Sequence, residues 1–276
     1  MFFKQSLLFV RRLLSSIIKH NIVTLAAVIA FFGFSAMIPL LLLMIYGTSV
    51  FVPQSTVQYF LSSVMQSYIP TIPDAKIYLA QNVSRLASLS SGKIGLIGVI
   101  GLLWTSVGGF VSFQQILDMI WEVREPRSFI KRYLVGFGML GILVLLTVIS
   151  SLTTIALALT RNFFNNGVPA WLALSHAISH MAFPLLLFIT CHFCYRFLPS
   201  RTIRNSYLLI GALVSTIGIY FSRDLFMLYT QNMGRYEMIY GSLTFIMLFT
   251  FWIYIASVIV LFGAEVAVAL ETFREY

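Results

Sequence analysis

The chain has 276 residues, of which 59% are hydrophobic and only 10% charged, against about 25% charged in ordinary soluble domains. One soluble core of this length has no room for so much apolar surface, which excludes a soluble globular protein. The net charge of +9 invites a nucleic-acid reading. The basic residues, however, flank apolar runs, as membrane topology and anionic headgroups demand, so no nucleic-acid partner is expected.

In chain order, residues 1–20 interleave Lys4, Arg11, Arg12 and Lys19 with apolar residues and lack a small-residue cleavage site. They read as an interfacial amphipathic helix rather than a signal peptide. Six apolar segments follow, near 22–46, 94–119, 133–160, 171–195, 207–229 and 242–268. The last contains Ser242 to Ala264, 23 residues without a charge, which as a helix covers roughly 35 Å and crosses a bilayer core of about 30 Å. The fold class expected is therefore all-α: one integral membrane domain over 1–276 with six transmembrane helices.

Between the first two spans, residues 47–93 place Val57, Phe60, Leu61, Val64 and Met65 at amphipathic helical spacing, and Pro70 and Pro73 break the pattern. An outward-facing helical hairpin is expected there. Small residues recur at packing intervals: Gly95, Gly98, Gly101 and Gly108 in the second span, and Gly211, Ser215, Gly218 and Ser222 in the fifth. Such stripes let helix backbones approach closely in lipid. Tyr133, Trp171, Tyr195, Tyr236 and Tyr240 stand near span ends, where aromatic belts form. Cys191 and Cys194 form a single C-x-x-C inside an apolar helix and read as small packing residues, not a disulfide or a zinc site.

Charge bias sets the orientation. With the N-terminus inside, twelve basic residues lie inside (Lys4, Arg11, Arg12, Lys19, Arg124, Arg127, Lys131, Arg132, Arg196, Arg201, Arg204, Arg274). Five lie outside (Lys76, Arg85, Lys93, Arg161, Arg235), and Arg223 falls within a span. Taking the membrane to be of the bacterial inner type, both termini are thus expected to be cytoplasmic.

Sorted by depth, the polar intramembrane residues fall into two groups. On the outer half lie Ser150 and Thr154 of the third span, His176 and His180 of the fourth, and Arg223 and Asp224 of the fifth. Arg223 sits about 10 Å inside its span and needs a partner or water. An outward cavity for an anionic group would use it, with Asp224 orienting a histidine. On the inner half, Gln114 and Asp118 share a depth with Arg196 and Glu265. Glu265 is expected to meet Arg196 or backbone donors there. H-x-x-x-H lacks the glutamate of a metalloprotease helix, so no metal and no cofactor are expected.

Several blocks carry a resemblance: Tyr195-Arg-Phe-Leu-Pro199, Tyr240-Gly-Ser-Leu243, Trp252-Ile-Tyr254 and Gly263-Ala-Glu265. Upstream, Ala30-Phe-Phe32, Ser35 and Pro39 within Leu25–Leu42, and Trp104 to Trp121 followed by Arg127-Ser-Phe129, extend it. Together they resemble the YihY/BrkB family of bacterial inner-membrane proteins, once labelled ribonuclease BN. The resemblance implies six spans and a cell-envelope role, and some members are linked to serum resistance or lipopolysaccharide-precursor transport. Where members often carry Lys before Trp-Leu-Phe, this chain has Arg223-Asp-Leu-Phe226.

A carrier or flippase-like transporter of an anionic lipid or lipid-linked envelope precursor is the function expected, with membrane lipids or glycolipids as partners. A small-solute or ion transporter and a structural envelope protein are the alternatives, and a homo-oligomer is compatible with the sequence. A nuclease is disfavoured: the nine acids form no paired-carboxylate site on an inner loop. The chain is expected not to be an enzyme.

Overall fold

The computed structural model describes residues 2–51, 93–163, 184–231 and 242–274. Seven helices are described: α1 (Phe2–Lys19), α2 (Ile22–Phe51), α3 (Lys93–Ile120), α4 (Phe129–Phe163), α5 (Pro184–Phe197), α6 (Asn205–Gln231) and α7 (Ser242–Arg274). No strand occurs among the described residues. The expected hairpin over 47–93 falls mainly outside them.

Among the described residues, three helices are long and apolar enough to cross a membrane, within α4, α6 and α7. A fourth arises if α1 and α2, bent by 55° at their junction, form one broken span. α2 runs without a break through Pro39. The expected amphipathic segment is a separate helix, α1, ending at a turn where Asn21 adopts a left-handed backbone (φ 51°), a conformation asparagine tolerates.

α7 is the central helix and packs against α6, α2, α1 and α3. Burying apolar side chains gains little against lipid tails, so close backbone approach and interhelical hydrogen bonds must hold such a bundle. The α6–α7 crossing supplies both. A Cβ on Gly211 would lie 2.5 Å from the Gly263 carbonyl oxygen, and one on Gly263 would lie 1.9 Å from Ser215 Oγ. Gly218 packs as closely on Ile259. Gly108, by contrast, has no neighbour within 4 Å of an added Cβ, so it is not a packing glycine.

At the same crossing the Tyr195 hydroxyl lies 2.7 Å from Ser215 Oγ and donates to the Val260 carbonyl at 2.5 Å. Tyr195 is therefore a buried interhelical tie, not the interfacial belt residue its position suggested. Tyr133 stacks on Trp104 at 5.0 Å. Trp171, Tyr236 and Tyr240 lie outside the described residues. Cys191 and Cys194 are buried and free, packed within the main core with Leu117, Trp121 and Leu208. The outer faces carry exposed Ile18, Ile130, Leu134, Phe221 and Leu225, the surface a bilayer would cover.

Candidate functional site

The polar chemistry gathers at one end of the bundle, where α1, the C-terminal ends of α3 and α5, the 198–204 turn and the end of α7 converge. Its centre is Glu265 on α7, fully buried. Oε2 accepts a hydrogen bond from Ser16 Oγ at 2.8 Å, and Oε1 lies 2.5 Å from His20 Nδ1. Ser16 and His20 are one turn apart on α1, so one helix face presents both to the carboxylate. A buried carboxylate normally takes a lysine or arginine partner. Here a histidine and a hydroxyl serve instead.

The far ring nitrogen, His20 Nε2, is buried and makes no hydrogen bond; it lies 3.5 Å from Glu122 Oε1. Glu122 ends α3 in a left-handed conformation (φ 49°), a position usually given to glycine. Val123 N bonds the Asp118 carbonyl at 3.0 Å and Glu122 N the Met119 carbonyl at 3.1 Å, which closes the helix end. That turn aims the Glu122 carboxylate back at α1, where it also pairs with Lys19. The Lys19 hydrogen bond holds the Glu122 carboxyl below the usual carboxylate value.

Around these groups lies a cleft of about 220 Å³. Arg12, Ser16 and His20 line one wall, and Ile120, Trp121 and Glu122 another. Arg201, Ile203, Val268, Ala269, Glu271 and Thr272 close it. Arg201 donates to Glu271 at 3.2 Å. Trp121 is buried with no hydrogen bond to its indole nitrogen.

A second polar knot sits beside the first. Asp118 accepts from Ser200 N at 2.6 Å and from Ser200 Oγ at 2.8 Å. Arg127 N donates to Ser200 Oγ at 3.2 Å, and its Nη1 to the carbonyls of Phe197 and Leu198 at 3.1 and 2.9 Å. Those carbonyls end α5 and have no helical partner of their own, so the guanidinium caps them.

The expected inner group is thus split between two sites. Glu265 does not meet Arg196, whose Nη1 instead donates to the Ile203 carbonyl at 3.3 Å. Asp118 belongs to the Ser200 knot. Gln114 is fully buried with neither amide atom hydrogen-bonded. Of the expected outer group, Arg223 is half-buried on α6 and Asp224 exposed beside it. Ser150 and Thr154 lie on α4, with side chains outside the description, and His176 and His180 lie outside the described residues. Among the described residues no three His, Cys, Asp or Glu side chains group as metal ligands. Ser16, His20 and Glu122 were missed by the sequence reading. The signal for them is faint: a serine and a histidine four apart on one side of a basic amphipathic helix.

The family model for virulence factor BrkB matches residues 13–276, nearly the whole chain and all of this site except the first turns of α1. The chain belongs to the virulence factor BrkB family. Within it, the chain is 24% identical to a UPF0761 membrane protein of Pseudoalteromonas atlantica, over 96% of this chain and 87% of that one. It is 28% identical to one from Psychromonas ingrahamii, covering 92% and 85%. It is also 24% identical, over 95% of both chains, to a Bacillus subtilis protein named putative ribonuclease-like protein YfkH. No solved structure matches. These relatives and the apolar helices make this BrkB-family chain a membrane protein.

Proposed function

We propose that the chain is a six-span carrier of the bacterial inner membrane, with both termini cytoplasmic, that moves an anionic lipid or a lipid-linked envelope precursor. The twelve-to-five basic bias supports an orientation with the convergent end of the bundle, and its cleft, at the inner leaflet.

The observation that carries this reading is the make-up of the cleft. Arg12 and Arg201 line it, with Glu122 and Glu271 opposite them and Lys19 paired to Glu122 at its edge. Its floor is apolar, with Ile120, Trp121, Ile203 and Val268. Leu14 and Ile18 are exposed on the opposite side of α1 from Arg12, Ser16 and His20. A phosphate-bearing headgroup would accept charge-assisted bonds from the arginines while its chains lie along the apolar side of α1. Arg223, half-buried at the other end of α6, would receive the headgroup in the outer leaflet. The reading is of a carrier and not an enzyme.

The test is reconstitution into vesicles of phosphatidylcholine with a trace of fluorescent phosphatidylglycerol, followed by bleaching from outside. Protein-containing vesicles should expose inner-leaflet label faster than protein-free ones. Arg12→Gln together with Arg201→Gln should slow that by at least about tenfold, since even one lost charge-assisted hydrogen bond is worth about 1.5–3 kcal/mol. Equal rates with and without protein would sink the reading.

A further inference from the structure

We propose that His20 and Glu265 form a reversible proton-binding site, loaded from the aqueous end of the bundle through Glu122, and that this proton couples to carriage.

The imidazole nitrogen and the carboxylate oxygen lie 2.5 Å apart. Two lone pairs cannot share that distance, so one proton always sits between them. Ser16 Oγ donates to the other carboxylate oxygen and is not itself titratable. The variable position is Nε2. With Nε2 bare the pair carries one net negative charge; with Nε2 protonated, imidazolium and carboxylate cancel. A fully buried carboxylate without an arginine or lysine contact makes the uncompensated state costly.

The delivery route is on the same face. Nε2 makes no hydrogen bond, lines the cleft, and lies 3.5 Å from the exposed Glu122 carboxylate. The left-handed backbone at Glu122 is a strained choice for a residue with a side chain, and it is what points the carboxylate toward α1. Glu122 takes a proton from water and passes it to the Nε2 lone pair. The carboxyl returns to carboxylate and the imidazole becomes imidazolium. Every charged group facing the pair has a place in this balance: Arg12 and Lys19 on α1, Glu122 at the end of α3, Arg201 in the 198–204 turn, and Glu271 on α7.

The pair also ties α1 to the central helix. α1 meets α2 at a 55° bend with a left-handed Asn21, and α7 packs on α6, α2 and α3. Loading or emptying Nε2 changes the attraction between α1 and the central helix, at the wall of the cleft. The carriage that the proton would drive rests on the function proposed above. Binding of the proton stands on the geometry alone.

Two measurements test this. In purified protein with Trp104, Trp171 and Trp252 replaced by Phe, Trp121 remains as the reporter in the cleft wall. Its emission should show a pH transition that His20→Gln abolishes and that Glu122→Gln, a change at an exposed side chain, moves to lower pH. In vesicles with an imposed pH gradient, lipid movement should follow the gradient in the wild type. Glu265→Gln should lose the response to the gradient. A transition unchanged by His20→Gln overturns the proposal, and so does lipid movement indifferent to the gradient in the wild type. A His20-dependent transition in a protein that moves no lipid upholds the proton site and removes the carrier reading instead.

Discussion

The Glu265 carboxylate lies 2.5 Å from the His20 imidazole although 245 residues separate them in the chain. The contact fastens the amphipathic N-terminal helix to the helix at the centre of the bundle. Removing one member should therefore be felt as a loss of tertiary structure. Glu265→Ala leaves His20 and Ser16 facing a void and should lower stability by about 3–5 kcal/mol, as for other broken buried pairs. Glu265→Gln keeps a carbonyl acceptor for His20 and turns an amide donor to the Ser16 hydroxyl, which can accept, and should cost less. Thermal melting in detergent, with α1 accessibility to protease as a second probe, checks the order.

That pair also shows how far the sequence could be read. A carboxylate after 23 uncharged residues marks Glu265 as costly, and counting depth matched it with Arg196. Depth does not give rotation about the helix axis. Arg196 turns toward the Ile203 carbonyl, and the true partner hides in a segment whose arginines advertise an interface. The packing stripe Gly211, Ser215 and Gly218 was legible because small residues at helical spacing mean one thing in lipid. Its counterpart Gly263 was visible only as part of a motif. Gly108 kept the spacing but faces open space, since a stripe does not say whether another helix lies against it. The Asp118–Ser200–Arg127 knot involves turns, where no periodicity exists to be read.

The glycines give a paired prediction of opposite sign. Gly263→Ala places a methyl 1.9 Å from Ser215 Oγ and 2.6 Å from the Gly211 carbonyl oxygen. Neither helix backbone yields cheaply, so the change should destabilise by about 1–3 kcal/mol. Gly108→Ala meets nothing within 4 Å and should stabilise α3 by roughly 0.5–1 kcal/mol through lower chain entropy. Melting temperatures that move in the same direction for both would contradict the α6–α7 crossing.

Acid should release the Lys19–Glu122 pair. The Lys19 hydrogen bond is the main cause of the lowered Glu122 pKa, and burial opposes it. A carboxyl held below its ordinary value of 4.5 when folded contributes stability above that value. The contribution is lost as pH falls through the lower folded-state value. Both side chains are more than half exposed, so the effect is at most about 1 kcal/mol and salt screens it. Melting curves at pH 6 and below should show wild type converging on Glu122→Gln as acidity or salt rises. A gap that stays constant would show that the pair contributes nothing.

Topology can be read with single cysteines, because Cys191 and Cys194 are buried and should not react. Arg124→Cys and Arg204→Cys, both exposed at the convergent end, should resist an impermeant thiol reagent in intact cells and react after permeabilisation. Tyr229→Cys, exposed near the other end of α6, should be labelled without it. Labelling at 124 or 204 in intact cells would invert the orientation and place the cleft outside.

The knot beside the cleft calls for a double-mutant cycle. Asp118 holds Ser200 through both its amide and its hydroxyl, and Arg127 reaches the same serine through its own amide while its guanidinium caps the Phe197 and Leu198 carbonyls. Asp118 and Arg127 do not need to touch to be coupled, because each fixes the turn on which the other acts. Asp118→Ala strands the Ser200 donors, and Arg127→Ala exposes two helix-end carbonyls; each should cost about 1–3 kcal/mol. Once either change has loosened the 197–200 turn, the second partner has less order left to support. The double variant should therefore fall short of the sum by about 0.5 kcal/mol or more. Since Arg201 follows this turn directly into the cleft wall, both variants should also weaken lipid binding while leaving His20-dependent proton binding in place. Strict additivity, with cleft function untouched, would mean that the two residues stabilise separate parts of the bundle.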